Sequence, residues 1–176
     1  ENWGGPAKGR NVGVRESCGD WISFLDCDDW WYSNRLEVIN KYLRGTDLIY
    51  HELDYYDENG KMNRTTNGRQ LKNPYFEDLL INGNCLSNSG VTIRKKTVEM
   101  AGELTEDKSL IAVEDYDLWI RISKITERFV FLKDCLGAYW VGDSSISKAS
   151  VSYIQKIKKI TEKYCYEMDT KKKKEE

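Results

Sequence analysis

Asp26 and Asp28 lie two residues apart at the end of a short apolar run, Trp21-Ile22-Ser23-Phe24-Leu25. If the chain stays extended through them, both carboxylates leave one face and Cys27 leaves the other. Two convergent carboxylates repel each other unless a cation lies between or beside them. Hard oxygen ligands suit Mg²⁺ or Mn²⁺, which complete their shells with water and substrate phosphates. The position favours this chemistry, because open α/β sheets hold ligands beyond the carboxyl ends of their strands. The competing interpretation is a solvated turn, Asp26-Cys27-Asp28-Asp29, before the next helix. Trp30 and Trp31 come next; either ring can stack on a sugar, but packing beside a helix is the plainer role for at least one. The single His51 falls in an alternating polar and apolar run, which predicts a strand-surface position and no histidine metal site.

The elements that must position these residues follow from pattern. Pro6 is suited to the first turn of a helix running to about Ser17, and Gly19-Asp20 punctuates before the apolar strand. Ser33 is a good N-cap for a helix carrying Leu36, Ile39, Tyr42 and Leu43, with Gly45 as its stop. Thr46 to Tyr56 reads as extended, and Asn59-Gly60 favours a tight hairpin turn. Residues 62–73 carry no clear period. A short helix is expected near Pro74–Ile81, a strand near Ser89–Arg94, and another short helix ending at Gly102. Leu118, Trp119, Ile122 and Ile125 give a helix over Glu114–Ile125 one apolar face. Two strands, Arg128–Leu132 and Gly137–Val141, precede an amphipathic helix carrying Val151, Ile154, Ile157, Ile160 and Tyr164. Alternating strands and helices predict an α/β fold with a mixed sheet.

Composition narrows the function classes. The chain has 176 residues, enough for one domain with a real core. Lys plus Arg total 27 against 29 Asp plus Glu, a formal charge of −2, which argues against a dedicated nucleic-acid binder. No apolar stretch reaches the ~20 residues of a membrane span, and the opening residues show no charged n-region or apolar h-region of a signal peptide. The five cysteines, Cys18, Cys27, Cys85, Cys135 and Cys165, include no C-x-x-C pair, so reduced thiols in a cytosolic protein are expected.

The order of several motifs then becomes specific. Ala7-Lys8-Gly9-Arg10-Asn11-Val12-Gly13 precedes Phe24-Leu25-Asp26-Cys27-Asp28-Asp29-Trp30. Further along come Ser89-Gly90-Val91-Thr92-Ile93-Arg94, Ala101-Gly102-Glu103-Leu104 and Glu114-Asp115-Tyr116-Asp117-Leu118-Trp119-Ile120-Arg121. The series ends with Tyr139-Trp140-Val141 and Ser144-Ser145-Ile146-Ser147. Over roughly residues 2–148 this closely resembles the family 2 glycosyltransferases, in the family's own order. The resemblance implies a GT-A-like (Rossmann-like) mixed sheet flanked by helices. It also implies transfer of a sugar from a nucleotide-diphosphate sugar, most simply a UDP-sugar, to a hydroxyl of a saccharide or lipid-linked acceptor, with inversion.

In that reading Asp28 is the main ligand of a divalent cation, Mn²⁺ or Mg²⁺, and Asp26 contacts the donor ribose or the metal shell. Asp115 matches the general base. Arg10 and Asn11 line the donor site, although Asn11 serves equally well as a backbone brace at the strand–helix junction. Glu114, Asp117 and Trp30 are supporting residues, and adjacent helix positions point about 100° apart, so Glu114 and Asp115 cannot both face one reacting centre. As helix N-terminal carboxylates, Glu114 and Asp115 also interact favourably with the helix dipole. Arg121 reads as a structural ion-pair partner.

The sequence opens at Glu1-Asn2-Trp3 without the family's first apolar strand and nucleotide-binding loop, and therefore reads as an N-terminally truncated domain over residues 1–168. Residues 169–176 read as a charged, disordered tail. No Q-x-x-R-W motif follows the base helix, which disfavours a processive synthase. Surface-polysaccharide or glycolipid synthesis is the expected setting, in the cytoplasm or peripherally at the inner membrane face. A non-catalytic sugar- or metal-binding remnant is the alternative, and a metal-dependent phosphotransferase or nuclease the least favoured.

Overall fold

A computed structural model of the chain describes residues 4–142 and 150–175, with side chains to Met168. The expected family loop at Ser144–Ser147 lies outside the described residues. The strands are β1 (Trp21–Ser23), β2 (Trp30–Trp31), β3 (Leu48–Asp57), β4 (Gly60–Thr65), β5 (Val91–Arg94) and β6 (Phe129–Trp140). The principal helices are α1 (Ala7–Glu16), α2 (Arg35–Asn40), α3 (Tyr75–Asn82), α4 (Lys95–Ala101), α5 (Glu114–Ser123) and α6 (Val151–Glu175). The sheet runs β1-β5-β3-β6-β2, with β4 added to the outer half of β3. Among the described residues β3 and β6 are the one parallel pair, and the other pairs are antiparallel. This is the mixed α/β sheet flanked by helices that the sequence predicts.

Strand β3 organises the fold. Leu48, Ile49, Tyr50 and Leu53 are wholly buried, as expected for a strand covered on both faces. Side chains alternate, so Leu48 and Tyr50 enter the large core built with α1, α3, α4, α5 and α6, while Ile49 joins Ile39, Leu132 and Leu136 on the side of α2. Gly90 fits against β3 because it has no side chain: a Cβ there would meet the His51 carbonyl oxygen at 2.6 Å.

Four expectations are corrected. The apolar run forms only a three-residue strand at the end of the described sheet order, and Leu25 is exposed. The two strands expected after α5 are one, β6, whose register against β3 slips near Glu52 and Cys135; the polar Lys133-Asp134 step is a bulge rather than a break. Helix α6 continues through the lysine run to Glu175, consistent with the good helix propensity of Lys and Glu once a helix is nucleated.

His51, expected at the surface, is 2% exposed. It shares the Ile49 face of β3, where the wholly buried Arg35 of α2 meets it: Arg35 Nε donates to His51 Nε2 at 2.9 Å. Arg35 also donates to Thr92 Oγ1 at 2.9 Å and lies 4.0 Å from the centre of the Trp31 ring. The sequence pattern counts His as polar and cannot register that a buried donor from another element satisfies it.

Burial, together with the Arg35 charge, pushes His51 down to about 4. The folded state therefore holds neutral imidazole, and the unfolded chain binds the extra proton between that value and the ordinary 6.5. The stabilisation is complete above pH 6.5 and is lost as pH falls through 4, amounting to about 3 kcal/mol. Urea unfolding of the wild-type protein and His51→Gln, compared from pH 7.5 to 4, should show the wild type losing about 3 kcal/mol relative to the variant as pH falls; parallel curves would contradict this account.

Candidate functional site

The Asp26–Asp29 segment leaves β1 not as an extended strand but as a turn, closed by Asp29 N–H donating to the Asp26 carbonyl at 3.1 Å. The two carboxylates of Asp26 and Asp28 therefore do not simply share one strand face. Ser89, at the junction into β5, holds this turn: its hydroxyl accepts from Asp26 N–H at 3.0 Å, and its carbonyl accepts from Trp31 Nε1 at 2.9 Å. Asp29 is buried and accepts from Trp140 N–H at 2.9 Å. Burial, reinforced by Asp26 and Asp28 nearby, raises its carboxyl to about 6 against the hydrogen bonds that favour ionisation.

Arg10 carries the decisive geometry. Its guanidinium pairs with Asp26 on one side, and on the other donates to Glu114 Oε1 at 2.6 Å. A residue on α1 thus ties the end of the β1 segment to the N-terminus of α5. Burial opposes the Arg10 cation, but Asp26, Asp115 and Glu114 outweigh it and hold its pKa above the ordinary value. Asn88 completes the Asp26 shell, donating Nδ2 to Asp26 Oδ1 at 2.8 Å.

These groups open onto one cleft of about 750 Å³, lined on its charged side by Arg10, Asp26, Asp28, Glu114 and Asp115. Asp28 is exposed on the turn, and its carboxylate forms no ion pair or hydrogen bond among the described residues. Asp115 is half-buried at the start of α5 and accepts from Tyr116 N–H at 2.7 Å. Burial first, then the charge of Glu114, raises Asp115 to about 7, with Arg10 pulling the other way. A carboxyl poised there can take a proton at neutral pH, as a general base must. Two buried oxygens beside the cleft, Asn88 Oδ1 and Glu114 Oε2, have no hydrogen-bond partner among the described residues.

The other expected residues separate by role. Asn11 is not at the cleft: it is buried and exchanges paired 2.9 Å hydrogen bonds with the Leu104 backbone, the bracing role. Asp117 is buried away from the reacting end, accepting from Tyr164 Oη at 2.7 Å and Arg121 Nε at 2.8 Å. Arg121 is the structural partner expected. Trp30 packs on Tyr56 with ring centres 4.9 Å apart. Ser89, Asn88 and Asp29 were missed; the Ser-Gly step before β5 was noticed in the sequence only as part of a strand. Among the described residues no three His, Cys, Asp or Glu side chains form a metal cage. With Asp26 already engaged, a cation here would rest mainly on Asp28 and on oxygens of a ligand.

This chain belongs to glycosyl transferase family 2, whose profile matches residues 1–96. An uncharacterised glycosyltransferase of Methanocaldococcus jannaschii is 26% identical over 158 residues, which is 88% of this chain and 51% of the relative. The amylovoran biosynthesis glycosyltransferase AmsB of Erwinia amylovora is 25% identical over 140 residues, 76% of this chain and 46% of that protein. The chain thus spans about half the length of these relatives. Among solved structures, S. aureus TarS 1-349 in complex with UDP-GlcNAc aligns with a TM-score of 0.63 at 19% identity, covering 89% of this chain and 46% of that one. That likeness is one of fold, of GT-A type.

The raised Asp115 has a stability consequence of opposite sign to that of His51. Its contribution is intact below the ordinary 3.8 and is lost as pH rises through 7, because the folded state resists ionisation. Asp115→Asn should therefore raise the unfolding free energy at pH 8 by about 1–2 kcal/mol, a figure discounted for solvent screening of a half-buried group, and change it little at pH 4. Equal effects at both pH values would show that Asp115 ionises freely.

Proposed function

We propose that this domain transfers a sugar from a UDP-sugar to an acceptor hydroxyl with inversion at the anomeric carbon, in surface-polysaccharide or glycolipid synthesis. The observation that carries the reading is the Arg10 bridge, which brings the acidic turn and the Asp115 helix to one cleft. Family membership supports transfer as the reaction class, and the TarS complexes with UDP and UDP-GlcNAc support the donor class.

In the reaction the acceptor oxygen bonds to the anomeric carbon while the bond from that carbon to the diphosphate oxygen breaks. Asp115 takes the acceptor proton, and its raised pKa leaves it able to hold that proton through the step. Arg10 keeps Asp26 and Glu114 fixed on either side, so the base does not drift from the donor. Asp28 is the residue that would hold Mn²⁺ or Mg²⁺, with the donor diphosphate and water completing the shell. Such a cation, when bound, stabilises the negative charge that develops on the leaving diphosphate. The proposed setting is the cytoplasm or the inner membrane face. No helix among the described residues is long and apolar enough to cross a membrane.

Calorimetry with UDP, with and without Mn²⁺, separates the two carboxylate roles. Asp28→Ala should weaken Mn²⁺-dependent UDP binding at least about tenfold, whereas Asp115→Asn should leave it unchanged and lower transfer by about 10²–10⁴. Wild-type UDP affinity in Asp28→Ala, or near-normal transfer by Asp115→Asn, would remove the corresponding assignment.

A further inference from the structure

The cleft has a second wall with a different chemistry from the charged one. Tyr55, Tyr139 and Tyr153 line it, together with the amides Asn67, Asn84 and Asn88. Tyr55 and Tyr139 are neighbours across the parallel β3–β6 pairing, with ring centres 5.2 Å apart and planes at 69°. The Arg64 guanidinium packs on the Tyr55 ring at 4.4 Å, fixing it further. Tyr153 comes from α6. It lines the same cleft as Asp115 and Tyr55, and burial first, then the charges of those two groups, raises its hydroxyl. The aromatic wall therefore shares one cleft with the Asp115 carboxyl.

Rings and amides without a lining Lys or Arg suit one ligand class. The apolar face of a pyranose packs on an aromatic ring while its hydroxyls bond to amides. Arg10 is the sole cation lining the cleft among the described residues, and two carboxylates already hold it. Among the lining residues an anionic acceptor gains no free countercharge, since Arg64, packed on the Tyr55 ring, is not one of them, and an alkyl chain would bury the amides without partners.

We infer that Tyr55, Tyr139 and Tyr153 form the seat of an uncharged pyranose beside Asp115, so that the acceptor is reached through a neutral sugar ring. The inference rests on the transferase reading for its role, but the seat can be tested without turnover.

The test uses saturation-transfer NMR on the full chain with methyl glucoside, methyl galactoside and methyl N-acetylglucosaminide as probes. Octyl glucoside and glucose 6-phosphate serve as lipid-like and charged counterparts, and UDP affinity is measured in parallel by calorimetry. At least one neutral methyl glycoside should bind. Tyr55→Leu and Tyr139→Leu, which keep apolar volume, should each weaken it about tenfold while UDP affinity is unchanged. Octyl glucoside binding only as well as its methyl counterpart would assign recognition to the ring, whether it arrives free or lipid-linked. Binding of UDP without any neutral glycoside, preference for the phosphate or the alkyl chain, or wild-type glycoside affinity in the leucine variants would each overturn the seat. Glycoside binding in a folded sample that ignores UDP would keep the seat and reject the transferase reading.

Discussion

The Arg10 guanidinium sits between two carboxylates that are far apart in sequence, one at the end of the first described strand and one at the start of α5. Without a cation at this point, Asp26, Glu114 and Asp115 would converge on one another across a cleft with no compensating charge. Two carboxylates 4 Å apart repel by about 4 kcal/mol even at the intermediate dielectric of a protein surface. Strand β3 supplies the rigid floor, and Arg10 sets how closely the two acidic segments approach above it. An arginine suits the role better than a lysine, since its planar fork can bond both partners at once.

The elements were largely legible, because hydrophobic period and turn chemistry are local. Helices α3, α4 and α5 fall where the pattern and Gly102 place them, and the Asn59-Gly60 hairpin joins β3 to β4. Non-local satisfaction was not legible. His51 looks like a surface residue until Arg35 of α2 is known to reach it. Asn11 looks equally like a ligand contact and a brace until Leu104, 93 residues away, offers both backbone groups to it. In each case the deciding partner lies on another element, and no spacing rule encodes it.

The acidic motif shows the same limit at finer scale. A two-residue spacing specifies a shared face only while the backbone is extended, and here it turns after Asp26. The consequence is a division of labour. Asp26 and Asp29 are drawn inward, to Arg10 and Asn88 and to Trp140, while Asp28 remains outward at the cleft. Ser89 enforces that division through its hydroxyl and its carbonyl, which explains why a residue at the start of β5 belongs to the site although it carries no charge.

Charge balance then constrains what can enter. On the charged wall the described lining residues comprise four carboxyl groups, Asp26, Asp28, Glu114 and Asp115, and one cation, Arg10. A diphosphate brought into this space would meet net repulsion; Asp115, raised first by burial, is raised further by Glu114 and Asp26. Two adjustments relieve the repulsion. Protonation of Asp115 removes one charge but would also disable the base of the proposed reaction until the proton leaves, so it cannot serve throughout. In the proposed reaction a divalent cation arriving with the diphosphate would remove two, held by Asp28, whose carboxylate has no ion pair or hydrogen bond among the described residues. The second adjustment leaves Asp115 free to titrate near neutrality. The unequal treatment of the four carboxyl groups therefore favours a ligand that brings its own counter-ion over one that relies on the protein for it.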